Sequence, residues 1–283
     1  AKPAAQPGGA QVEVKSFTFA GNTLVSSEEL ASAVAPWTGK AQDLAGLQAA
    51  AAAAGDAYRS RGWVVRAQLP RQDVSGGVVL IEIVEGRLGK VFVESNTDTR
   101  VSSEQASAFV GAGLQPGEPL TTRALDRGLM LADDLPGAVV AGRLQAGAAP
   151  GETDVALQLA KDPFLTGTAG LDIYGSHATG SARASASLGL ASPLGIGDFL
   201  GASLIHSQGS DYLRGEYTVP VGAQGLRLGV NGTLYRYDIV TAPFDALDAQ
   251  GTSTSGGLQG SYPIIRSRNA NLVSVLDFPE TFL

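Results

Sequence analysis

The sequence predicts an α+β region followed by an all-β region: two tandem β-α-α-β-β units, then a partial antiparallel β-barrel. Three observations carry this reading. An internal repeat recurs at a spacing of 76 residues in the first half. After Pro163 the helical periodicity gives way to strict two-residue alternation. The composition, with 37 glycines and only 17% charged residues, favours turn-rich β structure.

The repeat is anchored by "VSSE", at Val25–Glu28 and again at Val101–Glu104. A strand-like stretch precedes each copy, "VKSFTFAGNT" and "LGKVFVESNT". Ser26 and Ser102 each stand three residues before a side chain able to complete a capping box, Glu29 and Gln105. Second helical segments follow, "DLAGLQAAAAAAGDAYRSRG" and "TTRALDRGLMLADDLPG". Leu44, Leu47, Ala51, Ala54 and Tyr58 share one face of the first, and Leu125, Leu129 and Ala132 one face of the second. Each unit closes with two strands, "WVVRAQL" and "GGVVLIEIVEG", then "AVVAGRL" and "GETDVALQLAKD". Ile81 and Ile83 stand opposite Leu157 and Leu159 at the same spacing. The expected division is a linker or mature N-terminus over 1–11, a first unit over 12–87, a second over 88–162 and barrel strands over 163–283. "EGRLGKVFVE" runs from one unit into the next with almost no linker, which predicts a fairly rigid tandem.

Beyond Pro163 the alternation assigns faces directly. Leu165, Ala169, Leu171 and Ile173 oppose Thr166, Thr168 and Asp172. Ala184, Ala186, Leu188 and Leu190 oppose Arg183, Ser185 and Ser187. Leu213, Tyr217, Val219 and Val221 oppose Arg214, Glu216 and Thr218, and Leu226, Leu228, Val230 and Leu234 repeat the arrangement. "TSGGLQGSYPII" follows more weakly, and "NANLVSVL" begins a further strand whose pattern is expected to fail at Pro279. Strands of about ten residues suit a tilted crossing of a bilayer, and tight "PLGIGD" and "VGAQG" turns contrast with the long "DIVTAPFDALDAQG". The charged residues of the polar face suit a wet lumen. A water-soluble β-sandwich also alternates and is the bland alternative.

The same totals exclude several functions. The net charge is −7 with no basic run, so nucleic acid is not an expected partner. With no cysteine there is no disulfide, thiolate nucleophile or thiolate metal site. The two histidines, His177 and His206, lack metal-ligand spacing. "GLDIYGSHATGS" lacks the Gly-x-Ser-x-Gly elbow of a hydrolase, and "GAGLQPG" lacks the Lys-Ser/Thr of a phosphate loop. Neither catalytic residues nor a cofactor are therefore expected. Asp133 and Asp134 read as a solvated helix end.

"FTFAGNTLVSSEEL" with "VLIEIVEGRLGKVFVE" resembles the POTRA domain, and two such units before a barrel resemble the TpsB family, the outer-membrane transporters of two-partner secretion. "YGSHATGSARASASLGLASPLGIGD", "DYLRGEYTVPVG" and "YPIIRSRNANL" extend the resemblance into the barrel. "SPLGIGD" is similar to the family's Asn-Pro-Leu-Gly-Leu-Gly-Asp hairpin, with Ser192 in place of Asn, and is expected as a periplasmic turn between the second and third barrel strands. The resemblance implies periplasmic POTRA domains that bind the N-terminal secretion domain of a secreted exoprotein, and a barrel in outer-membrane lipid that conducts the chain outward without a cofactor. It implies capture by β-augmentation. The candidate edge is "WVVRAQL", with Val64, Val65, Ala67 and Leu69, beside the helix face from Leu47 to Tyr58. The family closes sixteen strands, whereas six or seven are legible here, with no inward Val-Arg-Gly-Phe loop and no plug helix before Val12; the chain is expected to be part of a longer barrel. Two further readings remain open: an outer-membrane barrel assembly protein, and a soluble periplasmic POTRA scaffold.

Overall fold

Alternation and capping translate into the expected elements, with two additions. A computed structural model describes residues 11–240 and 249–282. In the first repeat, β2 (Ser16–Ala20), β4 (Val65–Gln68) and β5 (Val78–Glu85) form a sheet of order β2-β5-β4, with β2 parallel and β4 antiparallel to β5. Helices α1 (Ser27–Val34) and α2 (Leu44–Arg59) pack on it. The additions are β1 (Val12–Val14) and β3 (Lys40–Gln42), which pair as a small antiparallel ribbon too short to show a period. Gly21 is required by close approach: at φ +83°, an added Cβ would sit 2.2 Å from the Ile83 carbonyl oxygen.

The caps form only their forward halves. Glu29 N donates to Ser26 Oγ at 3.3 Å and Gln105 N to Ser102 Oγ at 3.1 Å. The return side chains are spent elsewhere, Glu29 on Arg61 and Gln105 on the Ile196 carbonyl. Within α2, Leu47, Ala50, Ala51, Ala54 and Tyr58 are buried, while Leu44 lies exposed in the first turn. The core they build also takes in Phe17, Leu30, Val34, Val79, Ile81 and Ile83.

The second repeat supplies β6 (Arg87–Asn96), α3 (Ser103–Gly111), α4 (Thr122–Asp133), β7 (Ala138–Ala146) and β8 (Glu152–Lys161), with strand order β6-β8-β7. By packing, the chain forms two compact units. One runs through Lys90 and takes in Leu114–Leu125 and Leu144–Val155; the other takes Val91–Gly113, Asp126–Arg143 and the residues from Ala156 onward.

Seven antiparallel strands follow in simple sequence: β9 (Leu165–Asp172), β10 (Arg183–Ala191), β11 (Phe199–Ser207), β12 (Ser210–Val221), β13 (Leu226–Asp238), β14 (Gln250–Arg266) and β15 (Asn271–Phe282). The last does not fail at Pro279. It continues to Phe282, with Pro279 opposite Gly257. Most of "DIVTAPFDALDAQG" lies outside the described residues. Among the described residues no helix is long and apolar enough to cross a membrane, which says nothing about strands.

Candidate functional site

β4 lies at the edge of its sheet, and its backbone is used unevenly. Val64 is sealed: its N–H donates to the Leu120 carbonyl at 3.0 Å and its carbonyl accepts from Gly86 N at 2.9 Å. Thr122 N donates to Gly62 O, and Leu120 N to Gly86 O, so this short segment closes the start of the edge from within. Past it, the antiparallel alternation that joins Val64 to Gly86 turns the amides of Val65 and Ala67 away from β5. No described strand lies beyond them.

The six candidate residues therefore separate. Leu47 (7% exposed) and Tyr58 (0%) are interior. The side chains of Val65, Ala67 and Leu69 pack inward against the core they help to form, leaving the Val65 and Ala67 backbones open at the edge. Of the side chains on the opposite face, sequence reasoning named only Val64. Val64, Arg66, Gln68, Glu82 and Val84 line a cleft of about 700 Å³, walled by residues 144–153. Gln68 Nε2 donates to Glu82 Oε2 at 2.9 Å, while Arg66 is exposed. The even positions of β4 were readable as the outward face; the opposing turn was not, because its approach depends on tertiary structure.

In the seven-stranded sheet the register sorts the side chains into two faces. Thr168, Ser187, Ser203 and Arg214 follow one another across β9–β12, as do Glu216, Asn231 and Gly257 across β12–β14. Ala169, Ala186, Leu204, Leu213 and Leu234 occupy the other face. Exposure is inverted relative to a soluble sheet. Leu204, Leu213, Val230 and Leu258 are 45%, 46%, 51% and 62% exposed, while Ser203, Arg214 and Asn231 are half-buried. Such a continuous apolar exterior is costly in water and suited to lipid. The polar face holds a groove of about 340 Å³ with Thr166, Thr168, Ser187, Ser203, Arg214 and Glu216. Arg214 Nη2 lies 3.5 Å from Glu216 Oε2. Phe199 lies flat there, an added Cβ on Gly201 or Gly189 falling 2.9 or 3.0 Å from its ring.

The "SPLGIGD" segment is the turn joining β10 to β11, the second and third strands of the sheet. Ser192 adopts φ +53° and is wholly buried; its Oγ accepts from Gly197 N at 2.8 Å and its N–H donates to the Asp198 carbonyl at 2.7 Å. The buried Asp198 carboxylate accepts from Leu194 N and from the Tyr217 hydroxyl at 2.9 Å. Among the described residues no cluster of three or more His, Asp or Glu is placed to hold a metal ion.

Residues 12–86 match the family model for the ShlB-type POTRA domain, and residues 151–276 that for the haemolysin secretion/activation proteins ShlB/FhaC/HecB. The chain is 31% identical over 186 residues to the outer membrane transporter CdiB of Escherichia coli, covering 65% of this chain and 31% of that protein. It is 25% identical over 260 residues to the heme/hemopexin transporter protein HuxB of Haemophilus influenzae strain 86-028NP, covering 91% and 46%. The chain thus spans between about a third and a half of the length of these curated relatives. In fold it is similar to the solved structure of CdiB from Escherichia coli, with TM-score 0.64 at 23% identity over 99% of this chain and 54% of that one. It is also similar to BamA from Haemophilus ducreyi lacking POTRA domains 1–3, with TM-score 0.56 at 17% identity over 89% and 48%. With its POTRA repeat, its lipid-suited sheet and these two family matches, the chain belongs to the TpsB family of transporters, outer-membrane proteins whose POTRA domains lie in the periplasm.

Proposed function

We propose that the protein exports a partner exoprotein across the outer membrane by two-partner secretion. In this reading residues 12–87 and 88–162 are the periplasmic POTRA domains, and 163–283 contribute strands to the conducting barrel. The observation that carries it is the inverted sheet, with leucines exposed on one face and Ser203, Arg214 and Asn231 half-buried on the other. An apolar face turned to lipid and a polar groove turned inward supply a wet path for an unfolded chain, with no ATP or cofactor. Capture falls to the open amides of Val65 and Ala67, where an extended segment of the exoprotein's N-terminal secretion domain adds as a further strand. A soluble scaffold would leave the leucine face in water.

The test is export. The complete protein would be made in a bacterium lacking other two-partner systems, together with a large exoprotein from the same source. The exoprotein is expected in the medium only when the transporter is present. Its retention in the periplasm, with the transporter folded in the outer membrane, would overturn the reading.

A further inference from the structure

Three turns of the sheet lie at one end, joining β10 to β11, β12 to β13 and β14 to β15, and side chains of the second repeat reach all three. Just before α3, Arg100 Nε donates to the Ser192 carbonyl at 2.8 Å and Nη2 to the Pro193 carbonyl at 3.0 Å. Its guanidinium also lies 4.2 Å from the centre of the Phe164 ring. Gln105 Nε2 donates to the Ile196 carbonyl at 2.6 Å. From α4, Arg127 Nη2 donates to the Pro263 carbonyl at 2.8 Å. Arg266 forks onto Asp134, Nε to Oδ2 at 2.7 Å and Nη2 to Oδ1 at 2.6 Å, and Arg268 reaches Asp126 at 3.1 Å. Asp134 is therefore an anchor rather than a merely solvated helix end.

Packing agrees with the hydrogen bonds. An added Cβ on Gly197 would fall 2.7 Å from Leu135 Cδ2, and one on Gly225 2.7 Å from Leu131 Cδ2. The two leucines occupy space that only glycine leaves. Arg100 and Arg127 address main-chain carbonyls, which no side-chain change in the turns can remove. The two-pronged contacts at Arg100 and Arg266 need a guanidinium plane, which a lysine does not provide. Residues 91–113, 126–143 and 156–283 accordingly form one compact unit.

We infer that Arg100, Arg127 and the Asp134–Arg266 pair are positioning residues for export: they keep α3 and α4 seated on the ends of β10–β15 throughout transport. The exported chain then enters without the second repeat lifting off. This rests on the transport reading above.

Residues 1–283 contain no cysteine, so an introduced pair has no competing thiol within them. In cells making the complete protein and its exoprotein, Asp134→Cys with Arg266→Cys is expected to lower export severalfold. A short, reductively cleavable bismaleimide across the pair is expected to restore export to the parental level. Export abolished by the link and regained on cleavage would overturn the inference, because the repeat would then have to lift. Asp134→Arg and Arg266→Asp should each lower export, and combining them should restore it, which guards against simple misfolding. Undiminished export from both single reversals would also overturn it. Linking yield in isolated membranes gives a readout independent of export: it should be high and unchanged when an exoprotein is arrested in transit. If the parent exports nothing, the transport reading falls, while a low yield would separately overturn the seating.

Discussion

The Tyr58 hydroxyl donates to Glu85 Oε1 at 2.8 Å in the interior of the first repeat, where Tyr58 is 0% and Glu85 7% exposed. The same oxygen accepts from Thr23 N at 2.6 Å and Leu24 N at 2.7 Å, and the Thr23 hydroxyl reaches Oε2. One carboxylate at the end of β5 thus fastens the β2–α1 loop and the end of α2. Burial pushes its pKa up, but the Thr23, Leu24 and Tyr58 donors outweigh it and hold the group below its ordinary 4.5. Burial, with the adjacent carboxylate, pushes the Tyr58 phenol well above its ordinary value.

A depressed carboxylate stabilises the folded state above its unfolded pKa, and that contribution fades as pH falls through the folded value. Glu85→Gln is therefore expected to destabilise residues 11–162 by about 1–3 kcal/mol at pH 7, since buried donors lose a charged acceptor. Urea midpoints of parent and variant should converge below pH 4.5. A gap independent of pH would mean that Glu85 is already protonated in the fold.

The network also marks what a one-dimensional reading reaches. Capping serines, the α2 face and the alternating strands are local patterns, and they appear where periodicity places them. Leu44 fits the period yet sits exposed at the first position of α2, so the period alone does not tell where burial begins. Pro279 looked like a strand end and is not one: the pairing of β15 with β14 runs past it to Phe282. The candidate edge at Trp63–Leu69 was legible, but Leu120 closing over Val64 was not: that contact joins residues far apart in sequence through backbone atoms. The arginine grip on the turns was hidden for the same reason, carbonyl acceptors leaving no mark in the residue types.

Ala67→Pro separates capture from folding. The Ala67 amide points off the free edge, so proline there should leave the β4–β5 ladder intact while removing a donor and crowding an added strand. Affinity of residues 11–162 for an exoprotein secretion domain is expected to fall at least about fivefold, the equivalent of one hydrogen bond. The urea midpoint should hardly move. Unchanged binding by calorimetric titration would place capture away from this edge.

The turn at Ser192 is expected to be intolerant of small changes. Ser192→Ala leaves the Gly197 N–H without its acceptor in a buried turn, at a cost of about 1–3 kcal/mol. Gly137→Ala strains a φ of +96° and drives a Cβ to 2.8 Å from Ser192 Cβ. Both variants of the complete protein should show less heat-modifiable, folded barrel on unheated gels. Wild-type amounts for both would mean that the turn readily rearranges.

The neighbouring strands β10 and β11 give the sharpest test of the face assignment. Leu204 pairs with Ala186 and Leu213 on the apolar face, and Ser203 with Ser187 and Arg214 on the polar one. A cation on the lipid face near the bilayer midplane costs about 2–4 kcal/mol, whereas a lumenal residue meets water. Leu204→Lys should therefore lower folding into the outer membrane sharply. Ser187→Lys, opposite Ser203 and Thr168 in the polar groove, should fold at close to the parental level and shift the ion selectivity of the barrel toward anions. Reversed tolerances would turn the sheet inside out and remove the basis for a conducting lumen. Equal tolerance of both would instead favour a sheet that meets no lipid at all.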